Sequence, residues 1–274
     1  MRQVCHVGGA FATDNPRSEL GRFRDRNVSL KQQRRSRRRP TAGVPEGVRI
    51  YAIGDVHGRA DLLAEKFARI DTDRANFPAE RAIHVFLGDY VDRGPYSRDV
   101  IALLIKRRSQ YPSVYLRGNH ESYLLEFLQN PAVFADWRLY GGVDTLLSYG
   151  VAPSQNPDEQ EYFALASMLD RALPQNHRRF LNALALSFTC GDFFFVHAGV
   201  RPGIALARQA ATDLLWIREE FLVHKGAYEK TVVHGHTPVI EPDIRTNRIN
   251  IDTGAFATGK LTCLVLEGND IRFI

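Results

Sequence analysis

Three apolar stretches in the first half of this chain each stop at a glycine followed by a side chain that can ligate through oxygen. Residues 48–53 stop at Gly54-Asp55, residues 82–87 stop at Gly88-Asp89, and residues 113–116 stop at Arg117-Gly118-Asn119. Short runs rich in β-branched and aromatic residues, closed by glycine, read as strands. Between the first two, Leu62, Leu63, Phe67 and Ile70 recur at helical spacing, and residues 97–106 read as a second helix. Strand, helix, strand, helix, strand in this order predicts an α/β fold whose strands run parallel. In open α/β sheets, ligands collect just beyond the carboxyl ends of the strands, and all three polar turns fall there.

The second half is richer in strand. Residues 187–190, a Gly191-Asp192 turn and residues 193–196 predict a hairpin that runs into His197-Ala198-Gly199. Residues 231–233 lead into His234-Gly235-His236-Thr237, and residues 260–266, a Gly268-Asn269 turn and residues 271–273 predict a closing hairpin. Residues 121–185 read as mostly helical, broken at Pro131, Gly141-Gly142, Pro153 to Pro157 and Pro174.

Charge divides the chain in two. Residues 1–48 hold eleven of the 36 Lys/Arg and four of the 31 Asp/Glu, so the remaining 25 basic and 27 acidic residues leave 49–274 at −2. With few large apolar residues and the basic run 34–39, residues 1–48 are expected to be a disordered tail, and 49–274 the folded domain. The tail could contact acidic partners, nucleic acid or anionic lipid, but only weakly. No apolar run approaches the roughly 18 residues of a membrane span, and the N-terminus lacks a secretory apolar stretch, so a cytoplasmic protein is expected. Cys5, Cys190 and Cys263 are far apart with no C-x-x-C pair, which argues against a disulfide framework or a thiolate metal site. Cys190 and Cys263 sit in apolar runs and are expected to be buried as small hydrophobes.

The polar blocks carry the chemistry. A phosphate ester resists hydrolysis because hydroxide is scarce at neutral pH and the ester's own charge repels it. Two divalent ions about 3.5–4 Å apart meet both difficulties, neutralising phosphoryl oxygens and lowering the pKa of a bridging water toward about 7. Asp55 and His57 offer a carboxylate and an imidazole at one strand end, Asp89 stands at the next where it could bridge, and Asn119, His197 and His236 would complete the shell of the second ion. The alternative for each residue alone is structural: an Asp as a helix cap, an Asn in a turn, a His satisfied in a core. Five such blocks in order, each after an apolar run, outweigh that alternative, whereas His84, His177 and His224 lack such a setting and read as structural.

Gly54-Asp55-Val56-His57-Gly58, Gly88-Asp89-Tyr90-Val91-Asp92-Arg93-Gly94, Gly118-Asn119-His120-Glu121 and the two later histidine blocks resemble the phosphoprotein phosphatase family, in its bacterial and phage form, within the calcineurin-like metallophosphoesterases. The resemblance implies a four-layer sandwich of two mixed β-sheets flanked by helices, with a dinuclear metal site at strand ends. It assigns one ion to Asp55, His57 and Asp89, and the other to Asp89, Asn119, His197 and His236. It makes His120 the general acid, Asp92 its partner, and Arg93 and Arg117 phosphate ligands. Leu215-Trp216-Ile217-Arg218 resembles the segment that supplies a third phosphate arginine, Arg218. A shell of carboxylate, amide and imidazole without thiolate suits manganese, iron or zinc, with manganese expected first.

The activity so implied is hydrolysis of phosphoserine and phosphothreonine in proteins, with phosphotyrosine as an extension. A related reading is a symmetrical bis(5'-nucleosyl)-tetraphosphatase, which usually has Asp where this chain has Glu121; a broad-specificity phosphodiesterase is a third. A binding protein on a decayed phosphatase fold would lack a ligand, and every ligand type is present. Two other motifs are set aside. In Gly254-Ala255-Phe256-Ala257-Thr258-Gly259-Lys260, Leu261 stands where a P-loop needs Ser or Thr. Asp71-Thr72-Asp73 follows a helical stretch instead of a strand, unlike an aspartyl-phosphate nucleophile.

Overall fold

The computed structural model describes residues 5–8 and 42–274. In chain order the elements are β1 (Cys5–Gly8), β2 (Val48–Ile53), α1 (Ala60–Asn76), β3 (Arg81–Phe86), α2 (Ser97–Gln110), β4 (Ser113–Tyr115), α3 (Asn119–Phe127), α4 (Phe134–Trp137), α5 (Gly142–Ser148), α6 (Glu159–Ala172) and α7 (Gln175–Asn182). There follow β5 (Ser187–Cys190), β6 (Phe193–Val196), α8 (Ala211–Trp216), α9 (Glu219–Leu222), β7 (Thr231–His234), β8 (Asp243–Ile244), β9 (Arg248–Asn250), α10 (Ala255–Thr258), β10 (Cys263–Glu267) and β11 (Asp270–Phe273).

The strands form two mixed sheets, β11-β10-β2-β3-β4 and β1-β5-β6-β7-β9-β8. Because side chains alternate across a strand, each central strand serves two cores at once. Ile50 and Ala52 of β2, Ile83 and Val85 of β3 and Leu264 and Leu266 of β10 pack between the sheets against Phe193 and Phe195 of β6 and Val233 of β7. Tyr51, Ile53, Phe86, Cys263 and Val265 point the other way, onto Leu63 and Ile70 of α1, Ile101 and Leu104 of α2 and Leu124 of α3. On the far side of the second sheet, Phe194, Val196 and Val232 pack on Leu214 of α8 and Phe221 of α9. Helices, sheet, sheet, helices: the four-layer sandwich expected from the sequence is the fold observed.

β2, β3 and β4 are parallel, as are β6, β7 and β9. Their carboxyl ends therefore open on the same edge of the sandwich, and the loops after β2, β3, β4, β6 and β7 are the five polar blocks. The hairpin 187–196 forms with the expected register, Cys190 opposite Phe193. The short strands β8 and β9 went unread because neither carries an alternating apolar pattern of useful length.

Two departures concern the N-terminal part. Residues 42–47, assigned above to the tail, join the folded unit: Val44 is buried in the inter-sheet core, Gly43 N–H donates to Asp192 Oδ2 at 3.1 Å, and Val44 N–H donates to Gly268 O at 2.9 Å. Cys5 and Cys190 form a disulfide, contrary to the expectation of unpaired cysteines. β1 pairs antiparallel with β5 so that Cys5 faces Cys190, with their Cα atoms 4.3 Å apart. A separation of 185 residues gives no spacing from which to read that pairing. Cys263 is free and buried, as expected. The basic run 34–39, with its expected contacts to acidic partners or nucleic acid, lies outside the described residues. Among the described residues, no helix is long and apolar enough to cross a membrane.

Candidate metal centre

Each of the five strand-end loops delivers side chains to one buried cluster. Asp55, His57, Asp89, Asn119, His197 and His236 are all at most 5% exposed. Among the described residues, two triads have their ligand atoms within 4.8 Å of one another: His57, Asp89 and His120, and Asp89, His197 and His236. Asp89 belongs to both. Its Oδ2 lies 3.5 Å from His57 Nε2 and 3.7 Å from His120 Nε2, and its Oδ1 lies 3.4 Å from His197 Nε2. Asn119 Oδ1 is 2.9 Å from His197 Nε2, which is 3.2 Å from His236 Nδ1. Asp55 joins through its Oδ2, which accepts the backbone N–H of His236 at 2.9 Å.

The backbone pays a conformational cost to assemble this cluster. Among the described residues, the non-glycine residues with positive φ are His57, Asp89, Asp92, Arg93 and His236. All five lie in the predicted site, and such conformations cost on the order of 1–3 kcal/mol each, so the surrounding fold must enforce them. Close approach also requires two glycines: a Cβ on Gly118 would collide with Asp89 Oδ1, and one on Gly235 with Asp55 Oδ1.

Imidazole orientation is fixed from behind. His57 Nδ1–H donates to Val91 O at 2.9 Å and His197 Nδ1–H donates to Leu87 O at 3.0 Å, leaving both Nε2 atoms turned to Asp89. Burial pushes His57 down to about 3 and His236 down to about 2, and lowers His197 as well, which favours the neutral form that ligates a metal. Burial raises Asp55, with the charges of Asp252 and Asp89 adding to the effect. Asp89 is held far below the ordinary carboxylate range: burial opposes ionisation, but His197, His120, His57 and His236 around it outweigh that.

The donor set fits divalent ions on an independent observation. Asp55 Oδ1, His236 Nε2 and Arg117 Nε are buried and have no hydrogen-bond partner among the described residues. Buried polar atoms are nearly always paired, so orphans gathered around clustered carboxylates point to a cationic occupant.

His120 and Asp92 form a second layer. Asp92 Oδ2 is 2.7 Å from His120 Nδ1 and accepts Trp137 Nε1–H at 2.7 Å, while its Oδ1 accepts the Thr145 hydroxyl at 2.5 Å. Burial lowers the His120 pKa, but Asp89 and Asp92 outweigh it and the net shift is upward. Arg93 Nη2 lies 3.4 Å from His120 Nε2. Arg218 reaches the rim, where its Nη1 donates to Thr237 Oγ1 at 3.2 Å, next to His236. Arg117 is held by its backbone N–H on Ala185 O, with its Nε free.

Two carboxylates were given no role in the site from sequence. Glu121 is fully buried on the first turn of α3 and accepts backbone N–H groups of Gly118 (2.8 Å), Asp89 (3.0 Å), Tyr90 (2.7 Å) and Val91 (3.3 Å). It ties the β3 loop to the β4 loop. Burial and the neighbouring Asp89 push it up to about 7 against the pull of those N–H groups. Asp252 accepts the Gly254 N–H at 2.9 Å beside Asp55 and Asp89, and burial pushes it up to about 6. Its place after the β9 run, at yet another strand end, was the available signal.

Comparison with known proteins agrees with this geometry. The family model described as calcineurin-like phosphoesterase matches residues 48–266. A protein of Anoxybacillus flavithermus named bis(5'-nucleosyl)-tetraphosphatase PrpE [asymmetrical] is 30% identical over 77% of this chain and 88% of its own length. A Schizosaccharomyces pombe protein named "Putative serine/threonine-protein phosphatase" is 47% identical over 57% of this chain, but over 40% of its own length. Among solved structures, a cold-active protein-tyrosine phosphatase of a psychrophilic Shewanella superposes with a TM-score of 0.52 at 15% identity, covering 84% of this chain and 80% of that one. At that identity the likeness concerns the fold.

Proposed function

Because this chain belongs to the calcineurin-like phosphoesterase family, a family of metal-dependent phosphoester hydrolases, we propose that it is a protein phosphatase acting on phosphoserine and phosphothreonine. The observation that carries the reading is the buttressed His120–Asp92 pair, with Asp92 fixed by Trp137 and Thr145. A serine or threonine alkoxide is a strong base that leaves only with a proton. A nucleotide phosphate, with a second pKa of about 6, leaves without one. An oriented acid is therefore worth most on the alkyl phosphomonoester, typically about 10² to 10⁴ in rate.

In this reading Asp55, His57 and Asp89 would hold one ion and Asp89, Asn119, His197 and His236 the other. Two divalent ions held there supply positive charge that stabilises the phosphoryl group and lowers the pKa of water. Manganese is the first to test. Arg93, Arg117 and Arg218 bind phosphoryl oxygens and set the ester's orientation. Asp92 keeps the His120 ring turned so that Nε2 faces the departing oxygen, and the proton passes from Nε2 to that oxygen as the bond to phosphorus breaks.

A second reading, dinucleoside tetraphosphate hydrolysis, is favoured by the relatives named asymmetrical tetraphosphatases that align over most of this chain. Glu121 does not separate the two, because its carboxylate is spent on backbone N–H groups and faces no substrate. The deciding experiment compares a phosphoserine peptide with a dinucleoside tetraphosphate at equal manganese. The peptide is expected to give the higher kcat/KM; a tenfold preference for the dinucleotide would reverse the assignment.

A further inference from the structure

The glycine-bounded segment set aside as a P-loop has a use of its own. It folds into the single turn of α10, closed at either end by Gly254 and Gly259 in the left-handed conformation, at φ of 64° and 72°. Three contacts pin it. Asp252 Oδ1 accepts the Gly254 N–H at 2.9 Å, the Thr258 hydroxyl donates to Thr253 O at 2.8 Å, and Arg59 Nη1 donates to Ala255 O at 3.1 Å. The turn is thus tied to the exit of β9 and to the loop that follows β2. It carries Phe256 to the metal centre, where the ring lies edge-on to His57 at 5.5 Å and the Arg93 guanidinium sits over its face at 4.8 Å.

Arg93 has few other supports. Its backbone is fixed, with φ at 66° and its N–H donating to Gly141 O at 3.4 Å. Its side chain is not fixed by charge. Among the described residues it forms no ion pair, and its hydrogen-bond contact is Nη2 to His120 Nε2 at 3.4 Å. Arg107 shows the opposite arrangement. It too lies over aromatic faces, those of Phe67 and Tyr111, but Asp71 closes its fork with two bonds at 2.8 and 2.7 Å. A carboxylate holds a guanidinium by the same N–H groups that a phosphoryl oxygen needs. An aromatic face attracts the cation through its π cloud and leaves that edge free. Burial of the ring for its own sake does not explain its place, since Phe256 stays 36% exposed.

We propose that Phe256 is a positioning residue, which holds the Arg93 guanidinium beside His120 with its donor edge free for a phosphoryl oxygen. The inference rests on the reading of Arg93 as a phosphate ligand and adds what presets that ligand before the ester arrives. Without the ring, a long and flexible side chain must be ordered at every binding event, and that ordering weakens binding. The other use for the ring would be to shield His57, and then its removal would release metal instead.

The test titrates inorganic phosphate calorimetrically into the manganese-loaded full chain, with metal content measured beside it. Phe256→Leu should weaken phosphate about three- to tenfold and leave two ions bound. Phe256→Tyr keeps the ring and should stay within about twofold of the native chain. Arg93→Ala should weaken phosphate at least about tenfold. Adding Phe256→Leu to Arg93→Ala should change nothing more, because the ring then has no guanidinium to hold. A Phe256→Leu loss that persists undiminished without Arg93, or that comes with loss of metal, would overturn the inference. So would unchanged phosphate binding in Phe256→Leu while Arg93→Ala still loses it, and in that outcome Arg93 remains a phosphate ligand. If Arg93→Ala binds phosphate as the native chain does, the reading beneath the inference falls and takes the inference with it.

Discussion

The two ends of strand β2 each hold a polar cluster, a partly buried one at the amino end and a fully buried one past the carboxyl end, and they are satisfied in opposite ways. At its amino end, Arg49 makes a bidentate pair with Glu267, opposite it on β10, at 2.8 and 2.9 Å, and donates to the Phe77 carbonyl. Tyr51 donates to Asp73 Oδ2 at 2.6 Å, and Arg272 reaches the same oxygen at 2.7 Å. None of those side chains has an orphaned buried atom. Just past the carboxyl end, Asp55 Oδ1 has no partner, and the loops around it carry the strained residues. A closed polar network stabilises a fold; an open one, held in place at a conformational cost, is waiting for a ligand.

The largest effect should come from the group both triads share. Asp89→Asn keeps the shape but removes the charge that faces three imidazoles. We expect metal content to fall from two ions toward one or none, and kcat to fall by at least ~10³. Metal analysis beside turnover checks it; full metal with full activity would close the contrast between the two ends. Removing the metal with a chelator should abolish turnover while leaving the amino-end network and the far-UV circular dichroism intact.

Next in size is the His120–Asp92 pair, the proposed acid. Asp92→Asn retains a hydrogen-bonding side chain for His120, Trp137 and Thr145 but loses the charge that helps raise the His120 pKa. Turnover of a phosphoserine peptide should drop about 10²-fold. An aryl phosphate with a good leaving group should lose much less. Equal loss on both substrates would remove His120 from proton transfer.

The open end of β2 was far more legible in sequence than the closed one. Asp55, His57, Asp89, Asn119, His197 and His236 lie in short loops that directly follow apolar runs, so strand order alone brings them together. Asp92 and His120 came with them through the family resemblance, whose motifs run on from Asp89 and Asn119. The amino-end network depends on Asp73 from α1, Arg272 from β11 and Glu267 from β10, whose meeting requires the packed sandwich. Asp71-Thr72-Asp73, set aside as a nucleophile because it follows a helical stretch, is structural: Asp71 takes a bidentate Arg107 at 2.8 and 2.7 Å, and Asp73 takes Tyr51. The contact of Phe256 with Arg93 was invisible for the same reason, since it too forms only in the packed sandwich. Cys5 and Cys190 likewise meet only through sheet register.

Glu121 tests the join between satisfaction and function. It is a fully paired carboxylate inside the open cluster, so Glu121→Gln should act as a structural mutation there. The amide nitrogen must face backbone donors that an oxygen now accepts. The stability cost should be about 1–3 kcal/mol, seen as a Tm drop of roughly 2–4 °C per kcal/mol for a domain of this size. Activity should fall through lost loop position, with KM raised and kcat lowered. An unchanged Tm would show that the β3 and β4 loops hold each other without it.

The smallest effect belongs to the closed end, and its sign is fixed by Asp73. Burial opposes its ionisation, but Arg272, Tyr51 and Arg49 more than compensate, so its pKa is lowered. A carboxylate with a depressed folded-state pKa contributes stability that is complete above its unfolded value, about 3.9, and fades as pH falls through the folded value. Asp73→Asn should therefore lower Tm at pH 7 yet flatten its decline below about pH 4, relative to the native chain. Tyr51→Phe, which removes one donor from the same oxygen, should cost about 1 kcal/mol at neutral pH and leave the metal content at two ions. If instead either substitution emptied the metal centre, the two ends of β2 would be one cooperative network, and the division between a closed structural cluster and an open catalytic one would fail.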